Sequence, residues 1–232
     1  MRRHVWAAVA VLTLASPVAA QSTDASSWRP WHPVIGIGGT LSGSESLGAR
    51  TIESRAVTVG TTTPAGVTFV RTDSTLDRGI GGDLVVLLPV TTSLALELRG
   101  TAGRRTLTTR LSADIEGASG SAASEQVTDV EIGGRVSWLL PPGPWPRRLR
   151  PFIAAGGAYL RQLHEDRILV ETGSAWRADL GTHLWLRRSR TGRGTALGAT
   201  AELGWQWRSG GISLIDGARS SPAAAARLFV AF

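Results

Sequence analysis

The sequence predicts an all-β protein: a single antiparallel up-and-down transmembrane β-barrel of eight strands, with ten as the alternative count. Three observations predict it. Eight segments alternate apolar and polar residues with the period of a strand. The connections between them alternate short and long, as they do in a barrel with tight turns at one end and long loops at the other. Beyond an N-terminal leader, no segment offers the roughly 18 uninterrupted apolar residues of a membrane helix, and 28 glycines break up helical periodicity.

The leader comes first. Met1-Arg-Arg-His4 is a positive start, residues 5–15 are an almost unbroken apolar run, Ser16-Pro17 break it, and Val18-Ala19-Ala20 precede Gln21. This reads as a secretory signal peptide over residues 1–20, cleaved after Ala20, followed by a barrel domain over residues 21–232. A membrane anchor fits less well, because the run is short and a small-residue site follows it. With no Cys at the cut, lipid anchoring there is excluded.

The eight segments are 33–42, 77–88, 93–105, 126–139, 151–163, 174–187, 195–208 and 222–232. Most approach the ~9–11 residues that a tilted strand needs to cross a bilayer. In the seventh, Leu197, Ala199, Ala201, Leu203, Trp205 and Trp207 make one face; Gly198, Thr200, Glu202, Gly204, Gln206 and Arg208 make the other. In the fourth, Val130, Ile132, Gly134, Val136 and Trp138 oppose Asp129, Glu131, Gly133, Arg135 and Ser137. The third and sixth alternate in the same way through Leu94–Ala102 and Ala178–Leu186. The links 89–92, 140–150 and 188–194 are short or Pro-rich; the links 43–76, 106–125, 164–173 and 209–221 are longer and polar. An even strand number then puts both termini at the short-turn end.

The long first link holds two further alternating stretches, 56–59 and 67–70, around the turn Thr62-Thr63-Pro64-Ala65-Gly66. Either they raise the count to ten membrane strands, or the first two strands continue as a hairpin projecting beyond the membrane. Their short length and the neighbouring Glu53, Arg55, Arg71 and Asp73 favour the hairpin.

Aromatic residues gather near strand ends. Trp138, Trp145, Phe152, Trp185 and Phe232 map to the short-turn end, and Trp176, Trp205 and Trp207 to the other. Aromatic girdles of this kind mark the two membrane interfaces, and Trp138, Phe152, Trp176, Trp205 and Trp207 are taken as the girdle. Strict alternation turns Trp185 inward.

The inferred inner faces collect acids Asp83, Glu97, Asp129, Glu131, Asp179 and Glu202 against Arg99, Arg135, Arg161, Arg177, Arg208 and Arg227. Isolated charges inside a narrow barrel are costly, whereas an Arg fork bridges several carboxylates. Because an eight-stranded barrel is just filled by its side chains, this network reads as a rigid polar plug; a gated narrow pore is the rival.

Composition removes other functions. With no Cys there is no thiol nucleophile and no Cys-ligated metal, and with no Lys (all 25 basic residues are Arg) there is neither a P-loop lysine nor a Schiff base. The sequence pI of about 11.4 suggests nucleic acid in isolation, but the Arg residues are scattered along strands without stacking aromatics between them, so no nucleic-acid partner is expected. The glycines at 36, 38, 39, 79, 81 and 82 lack both the spacing and the following helix of a nucleotide loop; they suit tight strand curvature. His164-Glu165-Asp166 is a compact acid–base cluster in a long link, with Ser174 as a nearby hydroxyl, but no nucleophile motif surrounds that Ser, and three adjacent residues rarely converge on one metal. No catalytic residue, cofactor or metal site is expected.

The last segment carries the most specific signal. Ala224, Ala226, Leu228, Val230 and Phe232 share one wholly apolar face, while Ala225, Arg227, Phe229 and Ala231 share the other. This strand resembles the C-terminal assembly signal of bacterial outer-membrane barrels. With the leader, the eight segments and the Pro-aromatic, Gly-rich stretch Pro151-Phe-Ile-Ala-Ala-Gly-Gly-Ala-Tyr159, the chain resembles the small eight-stranded outer-membrane barrels, the group of the outer-membrane protein A transmembrane domain and its OmpX- and OmpW-like relatives. That resemblance implies residence in the outer membrane with both termini periplasmic. It implies partners in outer-membrane lipid, lipopolysaccharide and the barrel assembly machinery, and an extracellular partner reached through the loops 43–76 and 106–125. The function expected is that of a small structural or surface-interaction barrel. Two alternatives stand beside it: a soluble exported barrel that binds a small ligand, and a barrel enzyme acting on outer-membrane lipid.

Overall fold

The computed structural model describes residues 31–54, 67–114, 120–141, 146, 148–165, 168–187, 195–212 and 218–232. The leader, the stretch 56–59, Trp145 and Asp166 lie outside them. Ten strands follow one another: β1 Val34–Ser42, β2 Glu45–Ser54, β3 Val67–Leu76, β4 Gly79–Pro89, β5 Leu94–Asp114, β6 Ala122–Leu139, β7 Leu149–His164, β8 Val170–Arg187, β9 Ala196–Gly210 and β10 Arg219–Ala231. Each of the eight expected segments contains or overlaps one of them.

Eight of the ten close a ring. Antiparallel pairing runs β1–β4–β5–β6–β7–β8–β9–β10 and returns to β1, whose Val34 lies opposite Ala231. β2 and β3 form a hairpin between β1 and β4 and stay outside the ring. β5, 21 residues long, serves both: its lower half pairs with β4 (Ala95↔Pro89 to Arg104↔Ile80), its upper half with β3 (Leu107↔Leu76 to Asp114↔Val70). Of the two stretches expected to form the hairpin, 67–70 lies in β3, and its partner β2 reaches further back toward β1 than the turn signal suggested. At its base Gly48, with φ 94°, sits where the β2–β3 register slips between Ser46 and Gly48. That left-handed backbone suits glycine.

The register sets the barrel's geometry. Following partners from Val34 through Leu87, Glu97, Arg135, Gly156, Arg177 and Gln206 to Ser221 leads back to β1 at Ser44, ten residues beyond the start. The Gly43 N–H donates to the Pro222 carbonyl at that seam (2.8 Å). A shear of ten on eight strands tilts the strands by about 43°. Each step across the sheet then climbs ~3 Å along the axis, which fixes which residues share a level.

The lower end, where β1 begins and β10 stops, has a tight turn at β4–β5. There the Thr91 hydroxyl accepts the N–H groups of Ser93 (3.1 Å) and Leu94 (2.9 Å), a local bond that favours a turn over further strand. The upper end carries the hairpin and the long upper parts of β5 and β6.

Candidate functional site

Alternation splits every ring strand into an outward and an inward face. Outward are Ile37, Ile80, Leu98, Ile132, Ile153, Leu180, Leu203 and Leu228, each at least half exposed; Leu203 is 71% exposed and Ile80 70%. A soluble barrel would turn such residues in and show water a polar face, since contiguous apolar surface of this extent marks an interaction face. Tyr159, Trp176, Trp205 and Trp207 share one level on this outer surface, and Trp138 and Phe232 lie roughly 20 Å below. Trp31, also outward and exposed, joins the lower group, and its N–H bonds the Pro89 carbonyl at 2.7 Å. Among the described residues no charged side chain faces outward between the two aromatic levels.

The lumen is layered. At the lower end Val34, Val85, Leu87, Ala95, Leu139, Phe152, Ala154, Trp185, Ala196, Phe229 and Ala231 form an apolar cluster. Trp185 meets Phe229 edge-on at 4.9 Å between ring centres, and Phe152 stacks on His183 at 4.4 Å. The His183 Nδ1 is 2.8 Å from the Thr200 hydroxyl.

Above this cluster Arg135 reaches Glu97 (2.7 Å), Asp179 (2.8 Å) and both oxygens of Glu202. Arg227 from β10 bridges Asp83 and Glu202. Arg99 lies 3.1 Å from Asp83, and the Arg177 Nε donates to Asp179 at 2.6 Å. The side chains of Asp83, Asp179 and Glu202 are wholly buried.

A second charged layer follows. Arg208 spans Asp129 (2.9 Å), Glu131 (2.6 Å) and Glu45 (3.3 Å); Arg105 donates to Glu45 at 2.9 Å, as does the Ser221 hydroxyl at 3.0 Å. Arg219 lies 3.9 Å from Glu45. Gln162 and Gln206 donate to Asp129 and Glu131, each at 2.8 Å. Burial opposes the charge on Glu45, but Arg208 and Arg105 outweigh it and hold the carboxyl below its ordinary range. Leu47, Leu76, Val127 and Ile212 cover this layer with a second apolar cluster at the upper mouth.

Seven arginines (99, 105, 135, 177, 208, 219 and 227) thus meet seven carboxylates (45, 83, 97, 129, 131, 179 and 202), and this ion-paired set is formally neutral. Two cavities of about 40 Å³ each lie between the charged layers, sharing Arg99, Thr101, Glu131, Arg177 and Gln206 as walls. Each has room for about three waters.

Of the residues picked out from sequence, the structure brings together Asp83, Glu97, Arg99, Asp129, Glu131, Arg135, Arg177, Asp179, Glu202, Arg208 and Arg227. Arg161 is a correction: it is exposed on the outer face, while Leu160 and Gln162 beside it point in and are wholly buried. Phe152 is a second correction. It is wholly buried in the lumen and belongs to no girdle. The cause is common to both: β7 is apolar on either face from Phe152 to Leu160, so its parity is ambiguous, and assigning Arg161 inward set the strand the wrong way round. Trp138, Trp176, Trp205 and Trp207 face outward, as do Ala224, Ala226, Leu228, Val230 and Phe232. Arg105, Glu45 and Arg219 were missed. Arg105 has the parity of Glu97 and Arg99 and could have been read; Glu45 and Arg219 lie in links beyond the clear alternation.

The acid–base cluster does not assemble. His164 pairs through Nδ1 with Glu125 and lies 3.8 Å from Glu171, whereas the Glu165 carboxylate accepts the Gln126 N–H at 3.4 Å. By strand parity Ser174 belongs to the opposite face from His164. Among the described residues no three acidic or His side chains converge as a metal site.

No protein-family model and no curated protein matches this sequence. A solved structure does: the crystal structure of the outer membrane protein OprG from Pseudomonas aeruginosa is similar over 88% of this chain and 97% of its own, with a TM-score of 0.54 at 10% sequence identity. At that identity the likeness is one of fold: a closed, antiparallel eight-stranded barrel.

Proposed function

We propose that this chain is a small outer-membrane barrel with a structural or surface-interaction role, its lumen plugged and without chemistry of its own. The observation that carries this reading is the outer belt: apolar, free of charge among the described residues, and bounded by two aromatic levels. In water that belt would be an aggregation hazard; in a bilayer it matches the apolar band of outer-membrane barrels. The fold likeness to OprG, itself an outer membrane protein, supports it.

The lower end of the barrel would face the periplasm with both termini, and the hairpin end would face outward, offering 43–76 and 106–125 to a partner. Charge balance in the lumen supports a plug, since paired ions hold one another in place and leave no net field to draw a permeant ion. Deletion of Phe232 tests entry through the assembly machinery. The decisive test is fractionation: the mature protein is expected with outer-membrane fractions, with heat-modifiable migration in detergent. Recovery from the soluble periplasmic fraction would support the exported ligand-binding barrel instead.

A further inference from the structure

Above the upper aromatic level the outer surface changes character on one side only. Arg161 stands two residues above Tyr159 on β7, Arg104 two above Ala102 on β5, and Arg78 two above Ile80 at the head of β4; all three are exposed. The register puts them at one height. Arg104 lies opposite Ile80 on β4 and Thr128 on β6, and Val130, two below Thr128, lies opposite Arg161. With strands ~4.8 Å apart and tilted by about 43°, neighbours are ~6.5 Å apart at constant height, so the row Arg78–Arg104–Thr128–Arg161 runs for about 20 Å around the barrel, roughly 5 Å above the aromatic level. The rest of the circumference at this height offers Thr172, Ser174, Ser209 and Ser220.

None of the three arginines is ion-paired with a carboxylate among the described residues. The nearby Asp77 carboxylate lies higher and accepts the Thr108 hydroxyl at 3.3 Å. This sets the row apart from the lumen, where each arginine of the neutral set meets an acid. Guanidinium forks bind phosphate oxygens in pairs. A bilayer presents its phosphate groups just beyond the level that Trp and Tyr mark.

We propose that Arg78, Arg104 and Arg161 form a docking row for the phosphate groups of outer-leaflet lipid. The proposal rests on the outer-membrane reading above. It goes beyond that reading in assigning one side of the barrel, β4 to β7, to a phosphorylated lipid headgroup.

The test titrates the full mature protein, folded in detergent, with diphosphorylated lipid A, and counts bound lipid by native mass spectrometry. Dephosphorylated lipid A and inorganic phosphate serve as parallel arms. The wild type is expected to bind the phosphorylated lipid at least about tenfold more tightly than the dephosphorylated one. At about fivefold per arginine, the triple variant R78Q/R104Q/R161Q should lose on the order of 100-fold. R50Q/R71Q/R110Q, which removes the same charge higher on the hairpin side, should retain binding. Heat-modifiable migration checks that each variant is folded; if the triple variant is not, R161Q alone should still lose about fivefold. Equal binding of the two lipids, an unaltered triple variant, or inorganic phosphate binding as tightly as the lipid would overturn the docking row. Failure of the wild type to fold in detergent or lipid would instead overturn the outer-membrane reading on which it rests.

Discussion

Replacing Glu202 by Gln should be among the most damaging single changes in the barrel. Its side chain is wholly buried; it accepts two hydrogen bonds from Arg135 and two from Arg227, with Arg99 and Arg177 at 3.8 and 3.9 Å. Gln keeps the shape and removes the charge, so the set of seven arginines and seven carboxylates is left with an excess positive charge out of water. Breaking a buried pair in this way costs about 3–5 kcal/mol. The double variant E202Q/R227Q restores neutrality. Arg135 then keeps Glu97 and Asp179, and Asp83 keeps Arg99 at 3.1 Å. Coupled neighbours of this kind commonly recover about 1–3 kcal/mol. Urea unfolding in lipid vesicles, followed by Trp fluorescence, measures each step. A loss below about 1 kcal/mol for E202Q, or a double variant that merely adds the two single losses, would refute the claim that balanced charge holds the lumen together.

Three further outcomes follow from packing and topology. Gly198 faces inward, and a Cβ there would overlap the Phe229 ring; Gly198→Val should destabilise by about 1–3 kcal/mol in the same assay. Leu203→Arg, on the outward face near mid-belt, should cost about 2–4 kcal/mol in lipid, while Ser209→Arg, two rows above Trp205, should cost little; equal tolerance at both sites would contradict the outward assignment. Deleting Phe232 should lower outer-membrane levels while export and leader cleavage proceed, and undiminished levels would remove the terminal strand's assembly role.

The ring strands were legible because the apolar outer belt and the charged lumen put opposite chemistry on adjacent residues. β9 is the clearest case: Leu197, Ala199, Ala201, Leu203, Trp205 and Trp207 alternate with Thr200, Glu202, Gln206 and Arg208, and only one parity fits. β7 shows the limit. Ala154, Ala155, Gly156, Gly157 and Ala158 carry no polarity on either face, so its parity is set by its neighbours' register, and Arg161 and Phe152 could not be oriented from the strand alone. The lower apolar cluster was legible in part. Trp185 and Phe229 share the parity of Asp179 and Arg227, which turns them inward, whereas Phe152 on the ambiguous strand looks like a lipid-facing aromatic; all three fill the barrel below its charged layers. Glu45 was out of reach because it belongs to β2, which leaves the wall; its place in the lumen depends on the shear that brings β2 near β10.

The most direct test of the account is a spin-label scan along β9, made simple because the chain contains no Cys. Single cysteines at Ala199, Ala201, Leu203, Trp205 and Ser209 would be nitroxide-labelled in the mature protein in lipid vesicles. Collision with molecular oxygen and with an aqueous nickel chelate would then be compared. The account predicts high oxygen and low nickel contact at Ala199, Ala201 and Leu203, a depth maximum near Leu203, and strong nickel contact at Ser209. Nickel contact at Leu203 equal to that at Ser209 would mean that the belt meets water, and the transmembrane barrel would be wrong.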